Sequence, residues 1–455
     1  MPIHLPHRFH PRSYQQAVFE AFDRGITRAA CPWHRRSGKD TTALNLTITK
    51  MVERVGAYYH FFPTFAQGKR ILWDGINRAG MPFLEHFPPE LVAQKNETEL
   101  QITLTNGSIW QLIGTDNMDR VVGTNPVGCT YSEFSLQNPK AWDLFRPILR
   151  ENGGWALFLY TMRGRNHAYK LFEMAKRNPG WFCSFLTVAD TRRDAPGEDG
   201  GPVITEADIE KDRAEGMAEE LIRSEYYNDA DVALVGAYYG KHLDEVRQSG
   251  RIAHVPWEPG LPVDTWWDLG VSDSTVILFT QGSRFEVRVI DCLEASGEGL
   301  PFYAKVLRDK PYVYGTHHAP HDIQVRELGS GKSRLEMAQA LGLHFEVVPN
   351  LPLADGINAA RAFFARCWFD ADTCEPLLNA LASYRKAYDE AAQTFRNHPE
   401  HSWASHFADA FRYLAVGFRE PEAPRGPEDA YAVSNWDPFA PLGGRDHDTH
   451  AISSS

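Results

Sequence analysis

Long apolar stretches are missing from this chain. No run of about 18 apolar residues occurs, so no membrane-spanning helix is expected. The first residues, Met1 to Arg8, lack the apolar centre of a signal peptide, and a cytosolic protein is expected. Paired cysteines are missing too. Cys31, Cys129, Cys183, Cys292, Cys367 and Cys374 include no CxxC pair. They read as reduced thiols, which argues against a disulfide framework and a structural zinc site. Basic charge is not in surplus: 47 Lys and Arg stand against 59 Asp and Glu, a net −12. That excludes a wholly basic nucleic-acid coat but not a local basic groove, because phosphate contacts need only a patch. No internal repeat is found.

What is present is a large soluble chain. At 455 residues it exceeds one ordinary core, and its 43% hydrophobic and 23% charged residues suit a globular protein. Over residues 1–190, short apolar runs alternate with helical patterns, which favours an α/β sheet. Strands are expected at 57–62, 100–104, 108–113, 127–131 and 155–161. Asn106-Gly107 marks a tight hairpin, since both residues tolerate positive φ. Residues 191–254 read as a linker and lid: a loop rich in Arg, Asp, Gly and Pro, then one charged helical stretch over 205–228. Thr205 and Asp208 form its capping-box start. A second compact region spans 255–419, with strands at 265–269, 275–280, 285–291, 313–316 and 344–348. Residues 420–455 are rich in Pro, Gly, Asp and Ser and are expected to be disordered.

Two sites stand out. The first is His34-Arg35-Arg36-Ser37-Gly38-Lys39-Asp40-Thr41. A phosphate loop needs inward backbone N–H groups, a Lys for the β/γ-phosphates and a hydroxyl for Mg²⁺, with a helix behind it. Gly38-Lys39 and the following apolar stripe of Leu44, Ile48, Met51, Val52 and Val55 supply most of this. Two positions depart from the strict pattern: Trp33 stands where a Gly is usual, and Asp40 where a hydroxyl is. Thr41 or Thr42 would supply the hydroxyl only in a shifted register. Further along, 127–133 reads as a buried strand ending in Glu133, where an ATPase keeps the carboxylate that activates water. Ser132 takes the place of the usual Asp before it. Thr161 to Gly164 ends the next apolar strand, the position of a γ-phosphate sensor. Tyr14-Gln15 suits reading adenine by stacking and a bidentate amide. Each feature alone has a plainer reading, a strand end or a turn; their order favours ATP binding. A second loop, Gly329 to Ser333, matches the phosphate pattern locally but follows a charged segment rather than a buried strand, so it reads as a basic loop.

The second site is carboxylate-based. Two-metal cleavage of a phosphodiester needs acids from separate elements holding ions about 4 Å apart. Asp268 sits in an apolar strand, Asp322 follows another, and Asp409 is the only acid in the helical stretch 402–419. Strand, strand and helix acids in that order suit an RNase H-like nuclease. The plainer reading makes Asp268 or Asp322 a cap and pairs Asp409 with Arg412. Asp273, Asp291 and Glu294 are second candidates. His317, His318 and His321 offer a His-rich metal site as an alternative.

The motif order Tyr14-Gln15, Arg35 to Lys39, Tyr131 to Glu133, Trp267 to Gly270, Ala319 to Asp322 and Ala408 to Tyr413 resembles the large terminase subunit of tailed double-stranded DNA bacteriophages. The resemblance covers roughly 8–419 and implies an N-terminal P-loop ATPase domain of the ASCE type plus a C-terminal RNase H-like nuclease domain. It implies that Lys39, with Arg35, Ser37, Gly38, Asp40 and Thr41, cradles the phosphates of ATP, that Gln15 reads adenine and that Glu133 positions water. Thr161 would couple hydrolysis to motion. Arg36 would act on a neighbouring subunit's phosphate, with Arg35, Arg163 and Arg165 as rivals. Asp268, Asp322 and Asp409 would hold two Mg²⁺ or Mn²⁺ ions. The implied partners are double-stranded DNA, the portal protein, the small terminase subunit and further copies in a pentameric ring on the procapsid, in the host cytoplasm and without a membrane. Two other readings fit the residues: an RNase H-like nuclease or recombinase with an inactive ATPase half, and a non-enzymatic DNA-binding capsid-assembly protein.

Overall fold

Eight strands build the first sheet of the computed structural model, which describes residues 3–116, 118–121, 123–232, 234, 236–270, 274–282, 286–326, 332–389 and 394–419. In chain order they are β1 (Arg28–Pro32), β2 (Ala57–Phe62), β3 (Val92–Asn96), β4 (Gln101–Leu104), β5 (Ile109–Gly114), β6 (Pro126–Ser132), β7 (Trp155–Tyr160) and β8 (Phe182–Cys183). They lie in the order β3-β4-β5-β2-β6-β7-β1-β8. From β5 to β8 neighbouring strands pair in parallel, while β3, β4 and β5 pair antiparallel. Parallel strands carry helices on both faces, so they read as continuous apolar runs. Every residue of β6 and of β7 is buried accordingly.

Aromatic packing holds this sheet together. Tyr131 of β6 lies stacked between Phe61 of β2 at 4.9 Å and Phe158 of β7 at 4.7 Å. Each such side chain contributes about 1.5–3 kcal/mol by leaving water, with stacking adding about 1 kcal/mol. The stack runs across adjacent strands and fixes the spacing of their carboxyl ends.

A second sheet has the order β14-β13-β10-β11-β12-β15-β9. Its strands are β9 (Ile252–Ala253), β10 (Val263–Asp268), β11 (Ser274–Gly282), β12 (Val287–Ser296), β13 (Tyr314–Ala319), β14 (Phe345–Val347) and β15 (Cys367–Asp370). β10, β11 and β12 form an antiparallel meander; β13 joins β10, and β15 joins β12, in parallel. The helix Ala404–Gly417 packs on β10 and β11 through Phe407, Phe411 and Leu414, all buried. The mixed α/β architecture expected from the alternation is observed in both sheets. Ion pairs Lys140–Glu294 and Lys170–Glu375 join the two halves.

Several expectations need correction. The stretch 205–228 is two helices, Glu206–Ala214 and Glu219–Tyr227. Gly216 breaks it, with φ +99° that a helix cannot hold. The Thr205–Asp208 capping box is present. At the hairpin, Gly107 takes φ 90°, but Asn106 is not left-handed. Its side chain instead accepts from the Ser108 N–H at 2.9 Å and donates to Met51 O at 2.9 Å. The tail 420–455, Asp273 and the loop glycines Gly329 and Gly331 lie outside the described residues.

Candidate nucleotide and carboxylate sites

The carboxyl ends of β1, β6 and β7 lie side by side, which is where open α/β sheets bind ligands. The chain leaves β1 through Trp33 to Gly38 and enters the helix Lys39–Glu53. Arg36 (φ 69°) and Gly38 (φ 82°) are both left-handed. A Cβ on Gly38 would also stand 2.6 Å from Gln15 Nε2, so a larger residue would carry backbone strain and displace the Gln15 amide. Trp33, where a Gly was usual, is fully buried: its indole N–H donates to Ser184 Oγ at 2.9 Å and its ring meets Tyr14 edge-on at 5.5 Å. It closes the end of β1 as a core residue.

The loop is braced from below. Ser37 O accepts from the Tyr14 hydroxyl at 2.7 Å and from Gln15 Nε2 at 3.1 Å. Gln15 Oε1 accepts from the Arg12 N–H at 2.9 Å. Both ends of the Gln15 amide are thus engaged, and reading adenine would require releasing one of them. His34 Nε2 meets Thr191 Oγ1 at 2.7 Å; burial pushes its imidazole down to about 4, so it is neutral.

Lys39 is the centre of the site and is only 8% exposed. Its Nζ donates to Thr161 Oγ1 at 2.7 Å and to Trp33 O at 3.2 Å, and lies 3.4 Å from Glu133 Oε1. Glu133 follows β6 at φ 56°, ψ 42°, a strained conformation for a residue with a Cβ. Its N–H donates to Leu159 O of β7 at 2.8 Å, which holds the turn. Thr42, one of the two alternative hydroxyls, donates to Gly38 O at 2.9 Å; Thr41 is half-buried. Asp40 Oδ1 accepts from Ser132 Oγ at 2.7 Å. Burial raises the Asp40 carboxyl above its ordinary range, Ser132 opposes this, and nearby Glu133 adds to the rise.

The four arginine candidates separate by environment. Arg163 is mostly buried and paired with Glu225 at 2.5 Å; Arg35 is exposed and reaches the same carboxylate at 3.6 Å. Arg165 pairs with Asp231 at 2.5 Å. Arg36 is exposed, with no ion pair among the described residues. Glu225 and His60 were not found by sequence reasoning. Glu225 is one of many acids in a charged helical stretch, and nothing in its spacing distinguishes it.

At the second sheet, Asp268 ends β10, Asp322 lies in the turn His321–Gln324 after β13, and Asp409 is on the helix Ala404–Gly417. His406 Nδ1 meets Asp268 Oδ2 at 3.0 Å, and Arg412 Nη2 donates to Asp409 Oδ1 at 2.9 Å. The Arg412 partner of the plainer sequence reading is therefore present. Burial raises the Asp268 carboxyl; His406 lowers it, and the charges of Asp409 and Asp322 raise it further, so the three acids share one field. Asp322 Oδ1 is buried with no hydrogen-bond partner. Carboxylate oxygens and one orphaned acceptor suit a hard divalent ion. In this arrangement, however, no three His, Cys, Asp or Glu side chains among the described residues gather closely enough to hold a metal.

The other candidates have structural partners. Asp291 pairs with Lys310 and accepts from the Tyr312 hydroxyl at 3.1 Å, and Glu294 pairs with Lys140. His317 meets Thr265 Oγ1 at 2.7 Å, and His318 stacks on Trp266 at 3.8 Å. Burial pushes both imidazoles down to about 4. They are successive residues of β13 and serve the core, so the His-rich metal alternative is not assembled. Ser333, in the second glycine loop, caps the helix Arg334–Ala340 rather than opening a phosphate site.

No family model matches the chain, and no curated protein matches it. Among solved structures it is similar to the large terminase of a thermophilic bacteriophage, with 13% identity and TM-score 0.40 over 89% of this chain and 98% of that one. It is similar to the ATPase domain of the Thermus phage P74-26 large terminase, with 19% identity and TM-score 0.39 over 50% of this chain and 99% of that one. It is also similar to the nuclease domain of the P22 large terminase, with 16% identity and TM-score 0.30 over 37% of this chain and 87% of that one.

Proposed function

We propose that the chain hydrolyses ATP at the β1 loop to translocate double-stranded viral DNA into a procapsid, and cuts concatemeric DNA at the Asp268, Asp322 and Asp409 site. The observation that carries the ATPase reading is Lys39 Nζ, at the start of the helix after β1, held 3.4 Å from Glu133 Oε1 at the end of β6, with β7 between the two strands. Lys39 binds the β/γ-phosphates, and the loop N–H groups at the helix start face the same charge. Glu133 orients the attacking water and takes its proton. Thr161, just after β7 and bonded to Lys39, would sense the γ-phosphate. Mg²⁺, bound together with the nucleotide, would supply charge neutralisation at the phosphates. Arg36, exposed at the loop, would reach a neighbouring copy's nucleotide in a homo-oligomeric ring, pentameric when docked. The portal protein and the small terminase subunit complete the machine in the host cytoplasm. Among the described residues no helix is long and apolar enough to cross a membrane.

For the nuclease half, Asp268, Asp322 and Asp409 would hold Mg²⁺ or Mn²⁺, which supplies Lewis-acid stabilisation of the phosphate oxygens. The experiment pairs two variants. Lys39→Ala should lose ATP turnover while still nicking supercoiled plasmid. Asp409→Ala should lose metal-dependent nicking while still hydrolysing ATP. A folded wild type that neither hydrolyses ATP nor cuts DNA with either metal would favour the non-enzymatic DNA-binding reading. Cutting without hydrolysis would favour the recombinase-like one.

A further inference from the structure

The two departures of the phosphate loop touch one another. In P-loop enzymes the hydroxyl after the Lys and the Asp of the acid-ended strand hold Mg²⁺. Here the residue after Lys39 is the acid Asp40, and the residue before Glu133 is the alcohol Ser132. Taken singly, each removes a metal donor. In space they are partners: Ser132 Oγ donates to Asp40 Oδ1 at 2.7 Å, across 92 positions of sequence. The carboxylate has moved from the strand to the helix, and the hydroxyl from the helix to the strand. The donor chemistry of the pair is unchanged.

A neighbour sets the remaining lone pair. His60 Nε2 lies 2.8 Å from Ser132 Oγ, and His60 is fully buried. The serine proton is directed at Asp40, so His60 Nε2 carries a hydrogen and donates. Ser132 Oγ then gives one hydrogen, accepts one, and keeps a lone pair. Asp40 has its second oxygen besides.

Resting on the ATPase reading above, we infer that Asp40 and Ser132 form the divalent-cation site of the nucleotide pocket, with the carboxylate supplied by the loop helix and the hydroxyl by β6. The site takes Mg²⁺ as its complex with a nucleoside triphosphate. It differs from a structural latch between helix and strand in one respect: it needs the charge of Asp40, not only the acceptor.

The experiment measures affinity of the full chain for a non-hydrolysable ATP analogue, with Mg²⁺ and with EDTA, and Mn²⁺ bound beside the analogue by electron paramagnetic resonance. Wild type should bind the analogue about tenfold or more tightly with Mg²⁺ than with EDTA. Asp40→Asn preserves the acceptor for Ser132 and removes the charge. It should lose the Mg²⁺ enhancement over EDTA and lose the Mn²⁺ signal. The reciprocal double variant Asp40→Thr with Ser132→Asp should regain the enhancement that Asp40→Thr alone lacks. An Asp40→Asn protein with wild-type Mg²⁺ enhancement would overturn the inference and leave the ATPase reading standing. A wild type that binds no analogue under either condition would remove both.

Discussion

Arg163 and Glu225 form an ion pair at 2.5 Å beside the loop that follows β1, with side chains only 12% and 5% exposed. Arg35 approaches the same carboxylate at 3.6 Å, so one buried acid ties the loop to the segment after β7. Burial opposes ionisation of Glu225, but the charges of Arg163, Arg35 and Lys39 outweigh it and hold its carboxyl below the ordinary range. Glu225→Ala would leave Arg163 buried and unmatched and should cost about 3–5 kcal/mol in urea unfolding. Because the folded-state pKa is depressed, the folded protein binds fewer protons than the unfolded one in the acidic range. The contribution is therefore present at neutral pH and lost as pH falls through the folded pKa. Stability measured from neutral to about pH 4 should fall less in Glu225→Gln than in wild type.

Glu133 combines a left-handed backbone with the water-orienting role proposed for it. A left-handed residue with a Cβ costs about 1–2 kcal/mol, which glycine does not incur. Glu133→Ala and Glu133→Gly should both lose ATP turnover by roughly 10²-fold or more. The Gly variant should be the more stable of the two by about 1 kcal/mol in thermal unfolding. Equal stability would mean that the turn relaxes without the carboxylate.

Asp268 behaves in the opposite sense to Glu225. Its folded pKa is raised, first by burial, so its charged form disfavours folding. Asp268→Asn should lose nicking and yet gain up to about 1 kcal/mol at neutral pH, as expected where a functional charge is held at a cost in stability. The gain should shrink as pH falls through the folded pKa and the wild-type carboxyl takes its proton. Melting temperatures of both proteins across that range check the sign.

Arg36 is exposed, so Arg36→Ala should leave unfolding free energy within about 0.5 kcal/mol. Analogue binding by the isolated chain should also be unchanged. Turnover should drop only under conditions where copies assemble, which a concentration series of ATPase activity resolves. An equal drop at every concentration would place Arg36 on its own subunit's nucleotide.

The legible parts of the fold were those whose signal is local. The run over 57–62 matches β2 residue for residue, and the acid-ended strand matches β6, because continuous apolar β-formers announce a buried parallel strand. β1, the strand that launches the loop, was missed. Its sequence, Arg28-Ala29-Ala30-Cys31-Pro32, has little strand propensity, and its neighbours β7 and β8 impose the conformation. β15, also missed, is four residues long and paired on both sides. At the sites, residue types were legible and partners were not. Asp409 stood out in its helix, but the His406–Asp268 contact joins residues 138 apart. Asp40 and Ser132 looked like two unrelated losses, since no local pattern says that a helix start and a strand end will meet.

The three contacts of Lys39 carry a final consequence. Its ammonium already has Thr161, Trp33 and Glu133 around it. A phosphate that takes the lysine does so by exchange, and its affinity reflects a difference between two sets of contacts. The same exchange releases the Glu133 carboxylate and the Thr161 hydroxyl together. On the ATPase reading proposed above, water activation and signal along β7 would share one trigger, the arrival of the fuel, which would work as a safety catch against idle turnover.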